Sequence, residues 1–424
     1  MVLCVMEKIK TATVIKFAPA MIITVFLLTG CVTLLEDDVE HITRHEVAPF
    51  VREPVEQVTV SDYDEFFTAI LEIIREYETE SHLLYFFREG VDIQAEIQRA
   101  RDEIINEHPL GAFAIADISA NATRILAHYE VSIEIEYKRT KEQIDSIINA
   151  LSERAISAHL VNIMSQYNEA ATFRSRLQLD EETISDLVRE TYYQNPRLIV
   201  MLPVVVVGFY PETGTERIYE IQFNYAETAR MLQRFGELLN IYVQQNAERA
   251  VGSTDSEVVL SLVENFIGST VFDEQAARNI HSHGAQNLSA TAYGALVRES
   301  AVGEGFAMAF KALADESGIS CRVVLGYLDG MVHAWNIVYL YGDYYHIDVA
   351  MSAVNGIETA FLKTDDDFEE MLYSWDIENT VRCEGELTLE DIQGDEEPDD
   401  TDDDQTDEQN NEEDYLHARR KRIL

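Results

Sequence analysis

A histidine and an aspartate in the last third of the chain are the residues best placed to do chemistry. Residues 332–340 and 344–349 read as two strands around Tyr341-Gly342, a pair suited to a two-residue hairpin turn. With that turn Leu340 faces Asp343, and counting back sets Asp348 opposite Trp335. His333 lies two residues from Trp335, on the same face of the sheet. Diagonal neighbours across a sheet are about 7 to 8 Å apart, so an imidazole and a carboxylate placed there can meet. A histidine oriented by a carboxylate is two-thirds of a nucleophilic triad.

The elements around this pair are a helix and more strand. Phe306, Ala309, Phe310 and Leu313 recur at helical spacing over residues 304–316, and Gly318 follows as a C-cap. A strand over 319–326 then leads to the hairpin. The ordered motifs are Thr291-Ala-Tyr-Gly-Ala-Leu-Val297, Ala301-Val-Gly-Glu-Gly-Phe-Ala307, Gly318-Ile-Ser-Cys-Arg-Val-Val324, His333-Ala-Trp-Asn336 and Tyr345-His-Ile-Asp348. Phe361-Leu-Lys-Thr364, Tyr373-Ser-Trp-Asp376 and Cys383 close the series. Together they resemble the transglutaminase-like domain of bacterial surface proteins, a branch of the papain-like cysteine-enzyme superfamily, from near Glu264 to Cys383.

The resemblance implies a cysteine nucleophile at the start of the helix, in the family's Gly-Val-Cys-x-Gly-Tyr-Ala, with its thiolate stabilised by the helix dipole and the histidine. Here the same stretch reads Ala301-Val302-Gly303-Glu304-Gly305-Phe306-Ala307. Gly303 stands at the nucleophile position. Without a thiol the histidine has nothing to deprotonate, and loss of the nucleophile from a triad can cost about 10⁶ in turnover. The expectation is a pseudoenzyme with a vestigial His333–Asp348 dyad, whose cleft, widened by the missing side chain, binds a peptide, a protein or a cell-wall component without cleaving it. An active hydrolase with a non-standard nucleophile and a pure scaffold are the alternatives. Ser300 and Cys321 are the nearest substitutes and neither falls where His333 should point. Glu304 reads as a solvated carboxylate at the helix start.

No cofactor motif stands out and no metal is expected. His281 and His283 read as loop histidines without a ligand pattern of usual spacing, and His346 has no support as a ligand. Trp335 is expected to pack under the hairpin. Cys321 and Cys383 are expected to be buried thiols, with pairing left open.

Before this segment, residues 61–245 suggest an α+β region built twice. A helical stretch at 92–106, His108-Pro109 and alternating residues at 129–137 are followed by a helical stretch at 180–193, Asn195-Pro196 and alternation at 218–225. A helix resumes near Thr140 and near Glu227. The apolar run at 198–209 reads as a strand buried on both faces or a covered edge. The fold class is therefore α+β: a duplicated helix-plus-antiparallel-sheet region, then a transglutaminase-like, papain-like domain at 246–390.

The flanks speak of location. Lys8, Lys10 and Lys16 precede the apolar residues 17–28, a run too short to span a bilayer, which needs about 20. Leu28-Thr29-Gly30-Cys31 resembles a bacterial lipoprotein box. Residues 1–30 are thus expected to be a signal peptide, Cys31 to be lipidated and to hold the protein to the cell membrane on its extracytoplasmic side, and 31–60 to be a tether. Residues 391–424 read as an acidic disordered tail, with 14 acidic residues by Asp414 and a basic end at Arg419, Arg420, Lys421 and Arg422. With 32 Lys+Arg against 77 Asp+Glu and a net charge of −45, the surface repels phosphate backbones, which excludes nucleic acid as a general partner.

Overall fold

Period-two alternation in 128–137 and helical periodicity in the preceding segment generate the first layer pair of the computed structural model, which describes residues 58–86, 90–283 and 286–394. Strand β1 (Val58–Val60) is followed by α1 (Tyr63–Glu76), β2 (Glu80–Tyr85), α2 (Ile93–Asn106), α3 (Pro109–Ala114), β3 (Ile115–Ile125) and β4 (His128–Tyr137). In β4, Val131, Ile133 and Ile135 are buried while Glu130, Glu134 and Glu136 are exposed. The buried set meets Phe66, Ile70 and Ile74 of α1 and Ile104 of α2 in one core. Asp62 and Asp92 cap α1 and α2 by accepting from backbone N–H groups of their first turns.

The next segment runs α4 (Lys141–Asp145), β5 (Ile148–Asn149), α5 (Glu153–Ser165), β6 (Ala170–Ser175), α6 (Glu181–Gln194), β7 (Val204–Tyr210), β8 (Arg217–Asn224) and α7 (Ala229–Ala247). The two four-stranded sheets have orders β1-β2-β4-β3 and β5-β6-β8-β7. In each, the first pair is parallel and the other two are antiparallel. Arg139, just after β4, reaches across to Glu220 of β8 at 2.6 Å.

The last segment comprises α8 (Asp255–Ser269), β9 (Val271–Phe272), α9 (Glu274–His283), α10 (Ala292–Val297), β10 (Ser300–Ala301), α11 (Gly303–Glu316), β11 (Cys321–Leu328), β12 (Met331–Leu340), β13 (Asp343–Ile347), α12 (Val349–Asn355), α13 (Asp365–Glu370), β14 (Tyr373–Trp375) and α14 (Leu389–Gln393). Its sheet has order β13-β12-β11-β14, antiparallel throughout. Helix α11 is apolar almost all round and buried accordingly. Phe306, Phe310 and Leu313 share one core with Val323 and Val338 of the sheet and with Tyr192, Leu239 and Val243 of α6 and α7. Each such fully buried side chain contributes about 1.5–3 kcal/mol.

Several expectations are corrected here. The run at 198–209 becomes a strand only from Val204, and β7 is a sheet edge with Val204 and Val206 about half exposed. Successive side chains point to opposite faces of a sheet, so Val204 and Val206 lie together on the face left open to solvent. The helix expected from Thr140 is present, with Thr140 as its N-cap, and lasts five residues. His281 and His283 lie in α9 and not in a loop. The tether ends early, since Val58–Val60 pairs with β2. The tail starts later, because Thr388 and Asp391 form a capping box that starts α14. Cys31, the signal segment, residues 31–57 and the tail from 395 on, with its basic end, lie outside the described residues. Among the described residues no helix is long and apolar enough to cross a membrane.

Candidate functional site

The turn at Tyr341 and Gly342 sets the register that the dyad needs. Both residues have positive φ (55° and 110°), as a tight hairpin turn requires, and Leu340 pairs with Asp343 and Asn336 with Ile347. One residue beyond β13, Asp348 becomes the N-cap of α12, its Oδ1 accepting Met351 N–H at 2.9 Å. Its Oδ2 meets His333 Nε2 at 2.6 Å and accepts the Tyr373 hydroxyl at 2.7 Å. His333 and Asp348 are both buried. Burial pushes the Asp348 carboxyl up, but the His333 charge and hydrogen bond, the Met351 N–H and the Tyr373 hydroxyl together outweigh it and hold the group below its ordinary range.

The opposite edge of the His333 ring faces Gly303, the first residue of α11. A Cβ on Gly303 would lie 2.7 Å from His333 Cε1 and 2.8 Å from Nδ1. The imidazole therefore occupies the space that a nucleophilic side chain would fill. This corrects the expectation that the missing side chain widens the cleft: the ring is packed against the glycine backbone. Gly326, opposite His333 in the β11–β12 pair, is tight for a similar reason, since a Cβ there would sit 2.3 Å from the Ser374 carbonyl oxygen.

Glu304 departs from its expected solvated state. Its Oε1 accepts the Tyr193 hydroxyl of α6 at 2.9 Å, and its Oε2 is closed off from solvent with no hydrogen-bond partner among the described residues. Burial raises its pKa, against the opposing effects of the Tyr193 hydrogen bond and of His333. Neither substitute nucleophile touches the imidazole. The Ser300 hydroxyl points to Asp273 Oδ2 at 3.4 Å. Cys321 contacts Asn336, and burial pushes its thiol up to about 12. Among the described residues, Asp348 holds the His333 ring and no hydroxyl or thiol hydrogen-bonds to it.

A second buried group lies beneath. The ligand atoms of His346, Asp365 and Cys383 all lie within 4.8 Å of one another. The chemistry of this donor set does not suit a metal ion. Trp335 Nε1, which can only donate, bonds His346 Nδ1 at 3.0 Å. The proton of the neutral ring is then on Nε2, facing Asp365 Oδ1 at 3.0 Å, and no lone pair remains for coordination. Burial lowers His346 to about 4, which keeps the ring neutral, and raises Cys383. Cys321 and Cys383 are free thiols. Trp335 is fully buried on this group, which makes it packing and not a ligand platform.

Two partners of the site carried no role in the sequence reading. Tyr373 opens the Tyr373-Ser-Trp-Asp376 motif, which carries no sign of its hydrogen bond to Asp348. Tyr193 is 111 residues from Glu304, and no local signal connects them.

Residues 253–349 match the family model of the transglutaminase-like superfamily. No protein with a curated description matches the chain. Among solved structures, a TGase is similar at 14% identity with a TM-score of 0.25, over 60% of this chain and 69% of its own. The periplasmic domain of TgpA from Pseudomonas aeruginosa is similar at 14% identity with a TM-score of 0.20, over 35% of this chain and 60% of its own length. The segment that brings Gly303, His333 and Asp348 together is a transglutaminase-like domain.

Proposed function

We propose that this domain is a non-catalytic binding module of a lipid-anchored extracytoplasmic protein, and that it recognises a peptide, a protein or a cell-wall component at the surface around Gly303, His333 and Asp348. The observation that carries the reading is the His333 ring packed against Gly303 where a nucleophile would stand. A covalent acyl intermediate needs a nucleophile within hydrogen-bond reach of its base, and neither Ser300 nor Cys321 is there. The lipid anchor rests on the sequence around Cys31, and the structural duplication of residues 61–245 on the like order of their two sheets. The test is retention of wall fragments or extracytoplasmic proteins by the purified protein. Retention that falls when the site is altered by His333→Ala supports the reading, and no retention of either class removes it.

A hydrolase reading draws on a different observation, the intact 2.6 Å contact between His333 and Asp348. It requires amide turnover that disappears in His333→Ala. The scaffold reading requires that this variant lose stability while partner binding stays unchanged.

A further inference from the structure

Beside the entry to α11 lies a cavity of about 730 Å³ whose lining includes Asp273, Gln275, Asn287, Ser289, Arg298 and Ser300. Among the described residues two charged side chains line it, and they differ in what holds them. Asp273 is fully used by the fold: its Oδ1 accepts Ala276 N–H at 2.8 Å, and its Oδ2 accepts the hydroxyls of Ser289 and Ser300 at 3.1 and 3.4 Å. Arg298, exposed just after α10, has no carboxylate or other side-chain partner among the described residues. The uncompensated charge of the cavity is thus a guanidinium, in a chain whose net charge is −45.

We infer that this cavity binds the terminal carboxylate of a short peptide, with Arg298 as the anchoring residue. A guanidinium presents its N–H groups as a planar fork that matches a carboxylate bidentately. Ser289 and Ser300 spend their hydroxyl protons on Asp273, so the neutral donors left for the ligand are amides. The side chain of Asn287 has its oxygen committed to Ser289 N–H at 3.0 Å, which leaves its NH₂ group, along with Gln275, for the carbonyl of the preceding peptide bond. The size lies within the usual range of small-ligand sites, about 300–1,000 Å³. The frame of the cavity is also the frame of the proposed binding surface. β10 leads through Val302 into Gly303 at the start of α11, and Val302 N–H donates to the Ser289 carbonyl at 2.9 Å. The inference deepens the binding reading above and rests on it for the peptide character of the ligand.

The probes are N-acetyl-L-Ala-L-Ala, N-acetyl-D-Ala-D-Ala and the C-terminal amides of both, titrated into the full chain by calorimetry at low and at moderate salt. The shared chemistry is a peptide carboxylate; the L pair stands for a polypeptide end and the D pair for a wall-type peptide, so the pair that binds identifies the source. Saturable binding of an acid, weakened about tenfold or more by amidation and by Arg298→Ala, with Arg298→Lys in between, is the expected result. Binding should also weaken with salt. Equal affinity for acid and amide, affinity unchanged in Arg298→Ala, or no saturable binding would overturn the inference. Arg298 is exposed, so its variants should keep the fold, which circular dichroism checks. A parallel titration of His333→Ala separates the two claims. Dependence on Arg298 alone keeps this site and removes His333 from ligand recognition, whereas dependence on His333 alone does the reverse.

Discussion

Adding one carbon at residue 303 should reveal how closely the histidine has closed over the nucleophile position. An alanine Cβ would stand 2.7 Å from His333 Cε1, about 0.7 Å inside ordinary van der Waals contact at 3.4 Å. The ring cannot retreat freely. Its Nε2 is held by Asp348 at 2.6 Å, and Asp348 is itself fixed by Met351 N–H and the Tyr373 hydroxyl. Overpacking of this kind costs about 1–3 kcal/mol, and replacing glycine in a helix offsets about 0.5–1 kcal/mol of it. Gly303→Ala should therefore lose up to about 2.5 kcal/mol of stability. In a His333→Ala background the clash is gone, and the same substitution should be neutral or slightly stabilising, giving a coupling energy of about 1–3 kcal/mol. Urea unfolding followed by tryptophan fluorescence suits the cycle, because the two tryptophans of the chain, Trp335 and Trp375, pack with rings 5.8 Å apart in the cluster beneath the dyad. A coupling energy below about 0.5 kcal/mol, within the usual scatter of additive sites, would refute the reasoning.

Three further outcomes follow from the same geometry. Gly303→Cys brings the same Cβ against His333, so it should cost at least as much stability as Gly303→Ala and iodoacetamide at neutral pH should label residue 303 no faster than an ordinary thiol; fast labelling of residue 303 by peptide mass spectrometry would show that the ring gives way and that the family's geometry is still accessible. Glu304 has a folded pKa raised by burial above its ordinary 4.5, so the folded state holds the proton more tightly and stability falls as pH rises from about there through the raised value. Glu304→Gln should remove that component, and parallel stability–pH curves for the two proteins would contradict it. Asp348 is shifted the other way, so the stability it contributes is present above its ordinary 3.8 and is lost as pH falls through the lower folded value. Asp348→Ala should cost about 3 kcal/mol or more by stranding His333 and uncapping α12, and a loss under about 1 kcal/mol would show the pair to be dispensable.

The dyad was legible in the sequence because a two-residue turn leaves one register, and register decides which side chains meet. The helix at 303–316 was legible from its apolar spacing and from Gly318. The collapse at Gly303 was not, since a missing side chain does not reveal whether its neighbours will keep the space or fill it. Glu304 was misread for a related reason: at a helix start a carboxylate is usually solvated, and the tyrosine that covers it comes from α6, far away in the chain. The edge position of β7 was hidden because an apolar run records a preference for burial and not the number of strands beside it. Arg298 carries no sequence signal, as its lack of a side-chain partner among the described residues depends on Asp273 being satisfied by two serines.

Amide turnover by the intact protein, compared with His333→Ala under identical conditions, tests the proposal of a non-catalytic site most directly. Release of ammonia from glutaminyl peptides, with and without an added primary amine, together with cleavage of peptide amides, should stay at the uncatalysed rate in both proteins. Turnover above that rate in the unaltered protein that vanishes in His333→Ala would contradict the account.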